Sequence, residues 1–246
     1  MEKWLTTKNI FKIHPLFYVV AFICFITGFF KNFIIFTSII MIHEIGHTIV
    51  AIILKWKIDK MILLPFGGIT IFKERIDKPL IEEFLIAIAG PIIQLIYFIM
   101  FKENAQFANY NIAILLFNLL PIYPLDGSRI MNIIFNKFIS FKFSHILSII
   151  LSYIFILSIM LFYIKDFNIL FIFIMLFILL EVFKETIKHK YYFNKFLLER
   201  YLHDQKFKKI KKVNKLTQMK KQTKHLFKID NIYYTEREII RKTFDK

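Results

Sequence analysis

The sequence predicts an all-α polytopic membrane protein with six transmembrane helices. A short β-hairpin or re-entrant loop at the inner face and a small basic cytoplasmic C-terminal region complete the prediction. Three observations carry it. Of 246 residues, 57% are hydrophobic and mean hydropathy is +0.55, too apolar for a soluble domain of this length. Six apolar runs come close to the ~20 residues that a helix needs to cross the hydrocarbon core. Lys and Arg are also distributed very unevenly between the segments that join those runs.

The runs are 15–30, 33–54, 80–101, 107–125, 144–164 and 167–183. The first lacks a small-residue cleavage site, so it reads as a retained span and not a removable signal. The second carries a strongly polar cluster at its centre, and the third starts with the acidic pair Glu82 and Glu83. An even number of spans puts both termini on one side of the membrane. With the N-terminus inside, the inner segments hold 31 Lys and Arg, and the outer loops hold three, Lys31, Lys102 and Lys165. That bias places both termini in the cytoplasm. The chain therefore divides into a six-helix membrane domain, 1–184, and a basic tail, 185–246. Residues 184–246 carry 19 of the 34 Lys and Arg. On a membrane domain such a tail reads as a contact for anionic lipid headgroups and not for nucleic acid. The single cysteine, Cys24, excludes an intrachain disulfide framework.

Two segments depart from simple helices. In "MILLPFGGITIFKE", residues 61–74, β-branched residues flank Pro65 and Gly67-Gly68. This reads as a hairpin or re-entrant loop, with an ordinary interfacial loop as the competing reading. In "FNLLPIYPLDGSRI", residues 117–130, Pro121 and Pro124 break the fourth run shortly before Asp126 and Gly127.

His43-Glu44-Ile45-Gly46-His47 is an HExxH motif in the middle of a run. Residues four apart lie on one helix face, so both imidazoles reach one metal ion and Glu44 stands beside a water bound to it. By composition the pattern arises by chance on the order of one time in a hundred in a chain this long. Ionisable groups at membrane depth are costly unless they are paired or bind a cation. A catalytic zinc takes three protein ligands and keeps one position open. The best candidate for the third ligand is Asp126. In the proposed topology His47 lies roughly 10 Å from the inner face, and the fourth run ends at a matching depth near Asp126. Asn118 is a candidate donor to substrate or to a developing oxyanion, with an interhelical hydrogen bond as the alternative. Gly67 and Gly68 are candidate substrate contacts, in a loop whose strand edge suits an extended peptide.

HExxH in an early run, "AGPIIQ" at 89–94 and "NLLPIYPLDG" at 118–127 resemble the site-2 protease family of intramembrane zinc metalloproteases. "PFGG" at 65–68 also matches the family's Gly-rich stretch, and Gln94 stands where many members have Asn. The resemblance covers about residues 1–205. It implies one zinc per chain, held by His43, His47 and Asp126, with Glu44 as catalytic base. Six spans and "NKFLLERYL" after the last one resemble the stage IV sporulation branch more narrowly. That resemblance implies the precursor of sporulation sigma factor K as substrate, inhibitory or regulatory membrane proteins as partners, and the mother-cell membrane around the forespore as location. The branch ends in a nucleotide-sensing CBS domain. Residues 230–244 suit the last strand and helix of a shortened CBS-like unit, which leaves ATP binding open, as it leaves a homo-oligomer. The competing functions are a metal transporter and a regulatory membrane protein stabilised by a structural metal. Against the first, there is one compact cluster and no internal repeat. Against the second, a structural zinc is closed by four protein ligands, no Cys lies near the motif, and the other histidines stand near span ends or in the tail, which leaves His14 as the one fourth ligand still open.

Overall fold

The computed structural model describes residues 11–64, 67–73, 76–163, 169–203, 207, 209–229 and 232–244. In chain order the elements are β1 (Phe11–Ile13), α1 (Pro15–Ile26), α2 (Phe30–Ile53), β2 (Ile58–Leu64), β3 (Gly67–Phe72), α3 (Leu80–Phe101), α4 (Ala105–Asn118), α5 (Asp126–Phe138), α6 (Phe141–Phe162), α7 (Ile169–Leu202), β4 (Ile210–Val213), β5 (Lys224–Ile229), β6 (Ile232–Thr235) and α8 (Glu236–Phe244). Helices dominate. Among the described residues α2, α3 and α6 are long and apolar enough to cross a membrane. Their outward faces keep large apolar side chains in the open, such as Ile53 at 69% and Phe162 at 82% exposure. Water would penalise such a surface and lipid tails would not, so this is a membrane protein.

Each apolar run contains a helix. α1 starts where Pro15 occupies the first turn and His14 Nδ1 accepts a hydrogen bond from the Leu16 N–H at 3.2 Å. The helix stops at 12 residues because the chain turns at Gly28, whose φ of +78° suits a residue without Cβ. α7 runs for 34 residues. Its first 12 are wholly apolar, and Glu181 is the first charge. It continues through the charged stretch 181–202 because no Gly or Pro interrupts it.

The chain forms two compact units. The first holds residues 1–74 and 85–118, and the second holds 75–84 and 119–246. In the first unit β1, β2 and β3 make one sheet in that order. β1 pairs parallel to β2, with Ile13 opposite Leu63, and β2 pairs antiparallel to β3, with Ile62 opposite Ile69. Pro65 and Phe66, where the sequence places the turn of a hairpin or re-entrant loop, lie outside the described residues. One apolar cluster joins Ile39, Ile40, Leu63, Phe107 and Ile114. A second joins Ala51, Trp56 and Ile86. The two lie towards opposite ends of α2 and leave its polar middle between them.

In the second unit a sheet ordered β4, β5, β6 packs with α8 and the end of α7 around Phe196, Leu197, Val213, Met219, Phe227 and Ile240. A buried ion-pair network ties this core together. Arg200 Nε lies 2.5 Å from Asp77 Oδ2, Lys221 pairs with Glu83, and Arg200 also reaches Glu236 at 3.4 Å. Burial pushes the Asp77 carboxyl above the usual carboxylate range, against the pull of the Arg200 guanidinium.

Candidate metal centre

The centre is built on one stripe of α2. Ile40, His43, Glu44, His47 and Ala51 are all buried, at the three- and four-residue steps that share a helix face. The ligand-type atoms of His43, Glu44 and His47 lie within 4.8 Å of one another, and the three residues are 3%, 8% and 2% exposed. HExxH thus makes the compact cluster that its spacing predicts.

Backbone and side-chain partners orient both imidazoles. His47 Nδ1 lies 2.7 Å from the Ile86 carbonyl oxygen, and a carbonyl can only accept. The hydrogen therefore sits on Nδ1, and Nε2 presents a lone pair. His43 Nδ1 lies 2.8 Å from Gln94 Oε1. The two Nε2 atoms stand 3.1 Å apart. Two lone pairs facing each other across that distance repel unless a cation lies beside both. Two nitrogens on a tetrahedral zinc at its usual bond length are about 3.3 Å apart, so the donor set fits zinc.

α3 approaches α2 closely at this level. A Cβ at Gly46 would meet the Ala89 carbonyl oxygen at 2.7 Å, and a Cβ at Gly90 would meet His47 Nε2 at 2.3 Å. Only hydrogen at these positions lets the backbone of α3 pass the imidazoles. β3 covers Glu44 in the same manner. A Cβ at Gly68 would lie 2.3 Å from Glu44 Cγ, and the Thr70 hydroxyl donates to Glu44 Oε2 at 2.9 Å.

The remaining sequence candidates are placed as follows. Gly67, opposite Leu64, opens β3 with no neighbour within 4 Å of an added Cβ. Asn118 is the last residue of α4 and is half-buried. Asp126, the first residue of α5, is 7% exposed, with Arg129 Nη1 3.9 Å from its Oδ1. Asn118 ends the first unit and Asp126 belongs to the second. His14 caps α1. Sequence reasoning missed Gln94, Thr70 and the Ile86 carbonyl as partners of the cluster. Gln94 did leave a signal, because it is a lone amide deep inside an apolar run, where a polar side chain needs a partner.

Fold and centre together define a membrane-embedded HExxH metalloprotein. Residues 31–107 match the model of Peptidase family M50. The chain is 34% identical over 160 residues to stage IV sporulation protein FB of Bacillus subtilis, covering 61% of this chain and 56% of that protein. It is 36% identical over 118 residues to a zinc metalloprotease of Methanocaldococcus jannaschii, covering 42% of this chain and 34% of that one. The chain thus spans about half or less of the length of these relatives. Among solved structures, the site-2 protease from Methanocaldococcus jannaschii matches with a TM-score of 0.56 and 26% identity, over 71% of this chain and 89% of that chain.

Proposed function

We propose that the protein is an intramembrane zinc metalloprotease that hydrolyses a peptide bond of a membrane-associated protein. The observation that carries this is the pair of Nε2 atoms 3.1 Å apart beside a buried Glu44. His43 and His47 are two of the ligands, and Asp126 is the third, on its motif, its burial and its place at the head of α5. Zinc held there supplies a water of lowered pKa and a Lewis acid for the scissile carbonyl. Glu44 takes the proton of the attacking water and returns it to the leaving amine. Thr70 holds one carboxylate oxygen, Oε2, and so aims the other at the proton. Among the described residues β3 pairs with β2 alone, which offers its other edge to the substrate as an added strand. An extended substrate exposes the carbonyl that a helix would keep hydrogen-bonded. Gly67 gives that strand room, Gly68 brings the backbone of β3 against Glu44, and Asn118 is offered as a further donor to the substrate.

The likeness to stage IV sporulation protein FB supports a sporulation sigma-factor precursor as the substrate, with regulatory membrane proteins controlling access. We also place six crossings in the bacterial cell membrane, with both termini cytoplasmic and residues 185–246 as a basic tail against anionic headgroups. A cysteine at exposed Lys137 should then react with an impermeant reagent only from the cytoplasm, and one at exposed Glu103 only from outside. The reverse pattern rejects this topology. A metal transporter is disfavoured because the described residues hold one compact cluster and not a path of ionisable groups.

Glu44→Gln tests the activity. The purified variant should bind near-stoichiometric zinc and cleave nothing when coexpressed with a sigma-factor precursor. Cleavage at the normal rate would end the metalloprotease reading.

A further inference from the structure

Gln94 stands between two partners that treat the ends of its amide differently. Its Nε2 donates to the Asn111 backbone oxygen at 3.0 Å and approaches Asn111 Oδ1 at 3.4 Å. Its Oε1 faces His43 Nδ1 at 2.8 Å. A backbone carbonyl only accepts, so the nitrogen end of the amide is committed to α4 and the oxygen end must face His43. An oxygen facing Nδ1 requires a hydrogen on Nδ1, which leaves the lone pair of His43 on Nε2, beside Nε2 of His47. His43, Gln94 and Asn111 are 3%, 0% and 0% exposed, so water does not replace either bond. Asn111 Nδ2 is buried without a hydrogen bond, although its oxygen is turned to Gln94. A buried amide that leaves its own nitrogen unsatisfied calls for an explanation, and serving the Gln94 amide provides one.

We propose that Gln94, oriented by Asn111, is a positioning residue that fixes the tautomer of His43 and so decides which of its nitrogens meets the metal. Were the amide reversed, its N–H would demand the Nδ1 lone pair and put the hydrogen on Nε2, where it blocks ligation. Three helices, α2, α3 and α4, thus set one proton. The inference rests on HExxH as a metal site and is independent of proteolysis.

The test uses the full chain in detergent, stripped of metal and labelled with ¹⁵N at histidine. Multiple-bond ¹⁵N–¹H correlation reads each tautomer directly, and the His43 signal is assigned by its loss in His43→Gln. Cobalt(II) titration, followed by its visible absorption, reads metal affinity. The wild type should show His43 protonated at Nδ1. Gln94→Leu should mix the tautomers and weaken cobalt binding about 10–100-fold. Gln94→Glu keeps an oxygen towards Nδ1, and once the Asn111 side-chain amide turns over, its otherwise unsatisfied Nδ2 can donate to the second carboxylate oxygen, so this variant should hold the tautomer and lose much less cobalt affinity than leucine does. The rescue by glutamate separates positioning from packing. Gln94→Leu with an unmixed tautomer and unchanged affinity overturns the proposal, as does Gln94→Glu failing as badly as leucine. Neither readout needs cleavage, so the proposal and the peptidase reading stand or fall separately.

Discussion

Gly90 on α3 lies so close to His47 on α2 that a methyl group added there would sit 2.3 Å from Nε2, and 2.8 Å from Nε2 of His43. These are the two atoms proposed to hold the metal. Gly90→Ala must therefore displace either the helix backbone or both imidazoles. Zinc content of the purified variant should fall well below stoichiometric, and cleavage should fall with it. Gly67→Ala is the matched control, because nothing lies within 4 Å of its added carbon and its zinc content should be that of the wild type. Equal zinc in both variants would mean that α3 can withdraw without cost, contrary to the close-packed interior expected here.

The contrast between His43 and Gln94 marks how far the sequence could be read. His43, Glu44 and His47 were legible because four-residue spacing on a helix is a local rule. The helix break before Asp126 was legible because Pro121 and Pro124 act on their own backbone. The pairing of Gln94 with His43 joins residues 51 apart and depends on how α3 sits on α2, which no local rule supplies. Thr70 is the same case, since its hydroxyl points at Glu44 only once β3 has its register on β2. β1 was missed because three residues have no strand signal of their own and pair only because β2 is already there. The apolar run 167–183 marks only the lipid-facing part of α7. The helix continues to Leu202, because backbone helicity does not stop where lipid does.

A pH-dependent local stability is built into α8. Thr235 and Glu238 form a capping box: the Thr235 N–H donates to Glu238 Oε2 at 2.7 Å, and the Glu238 N–H donates to Thr235 Oγ1 at 3.4 Å. The Thr235 hydrogen bonds favour the ionised carboxylate and hold Glu238 below its ordinary value of 4.5. A lowered folded value means that the stabilisation is present above pH 4.5 and fades as pH falls through the folded value. Asp77, in the same unit, has the opposite sign, because burial favours its protonated form and that contribution is lost as pH rises. A global melt mixes the two, so the probe must be local. Amide exchange of α8, corrected for intrinsic rate, should accelerate relative to β5 between pH 6 and pH 3 in the wild type. In Glu238→Gln that difference should vanish; a difference that persists would assign it to another carboxylate.

Asp126 is where the ligand role and a purely structural role are hardest to tell apart. As the first residue of α5 it carries negative charge at the positive end of a helix, which alone accounts for an acidic residue there. It is also buried, with Arg129 only 3.9 Å away as a partial counter-charge. The two roles differ in what Asp126→Asn would change. The amide keeps the shape and the capacity to accept a hydrogen bond but loses the charge. If Asp126 only served the helix, stability would fall by about 0.3–1 kcal/mol, and zinc and cleavage would remain. If it is the third ligand, a neutral amide replaces an anionic donor and leaves two histidines to hold the ion, so zinc affinity should drop at least tenfold and cleavage should be lost. Asn118→Asp in the same chain should not restore either property, since it places the new carboxylate at the end of α4, eight residues before the position lost. Zinc titration beside a thermal melt of Asp126→Asn separates the cases: a small drop in melting temperature with full zinc and full activity would remove Asp126 from the ligand set.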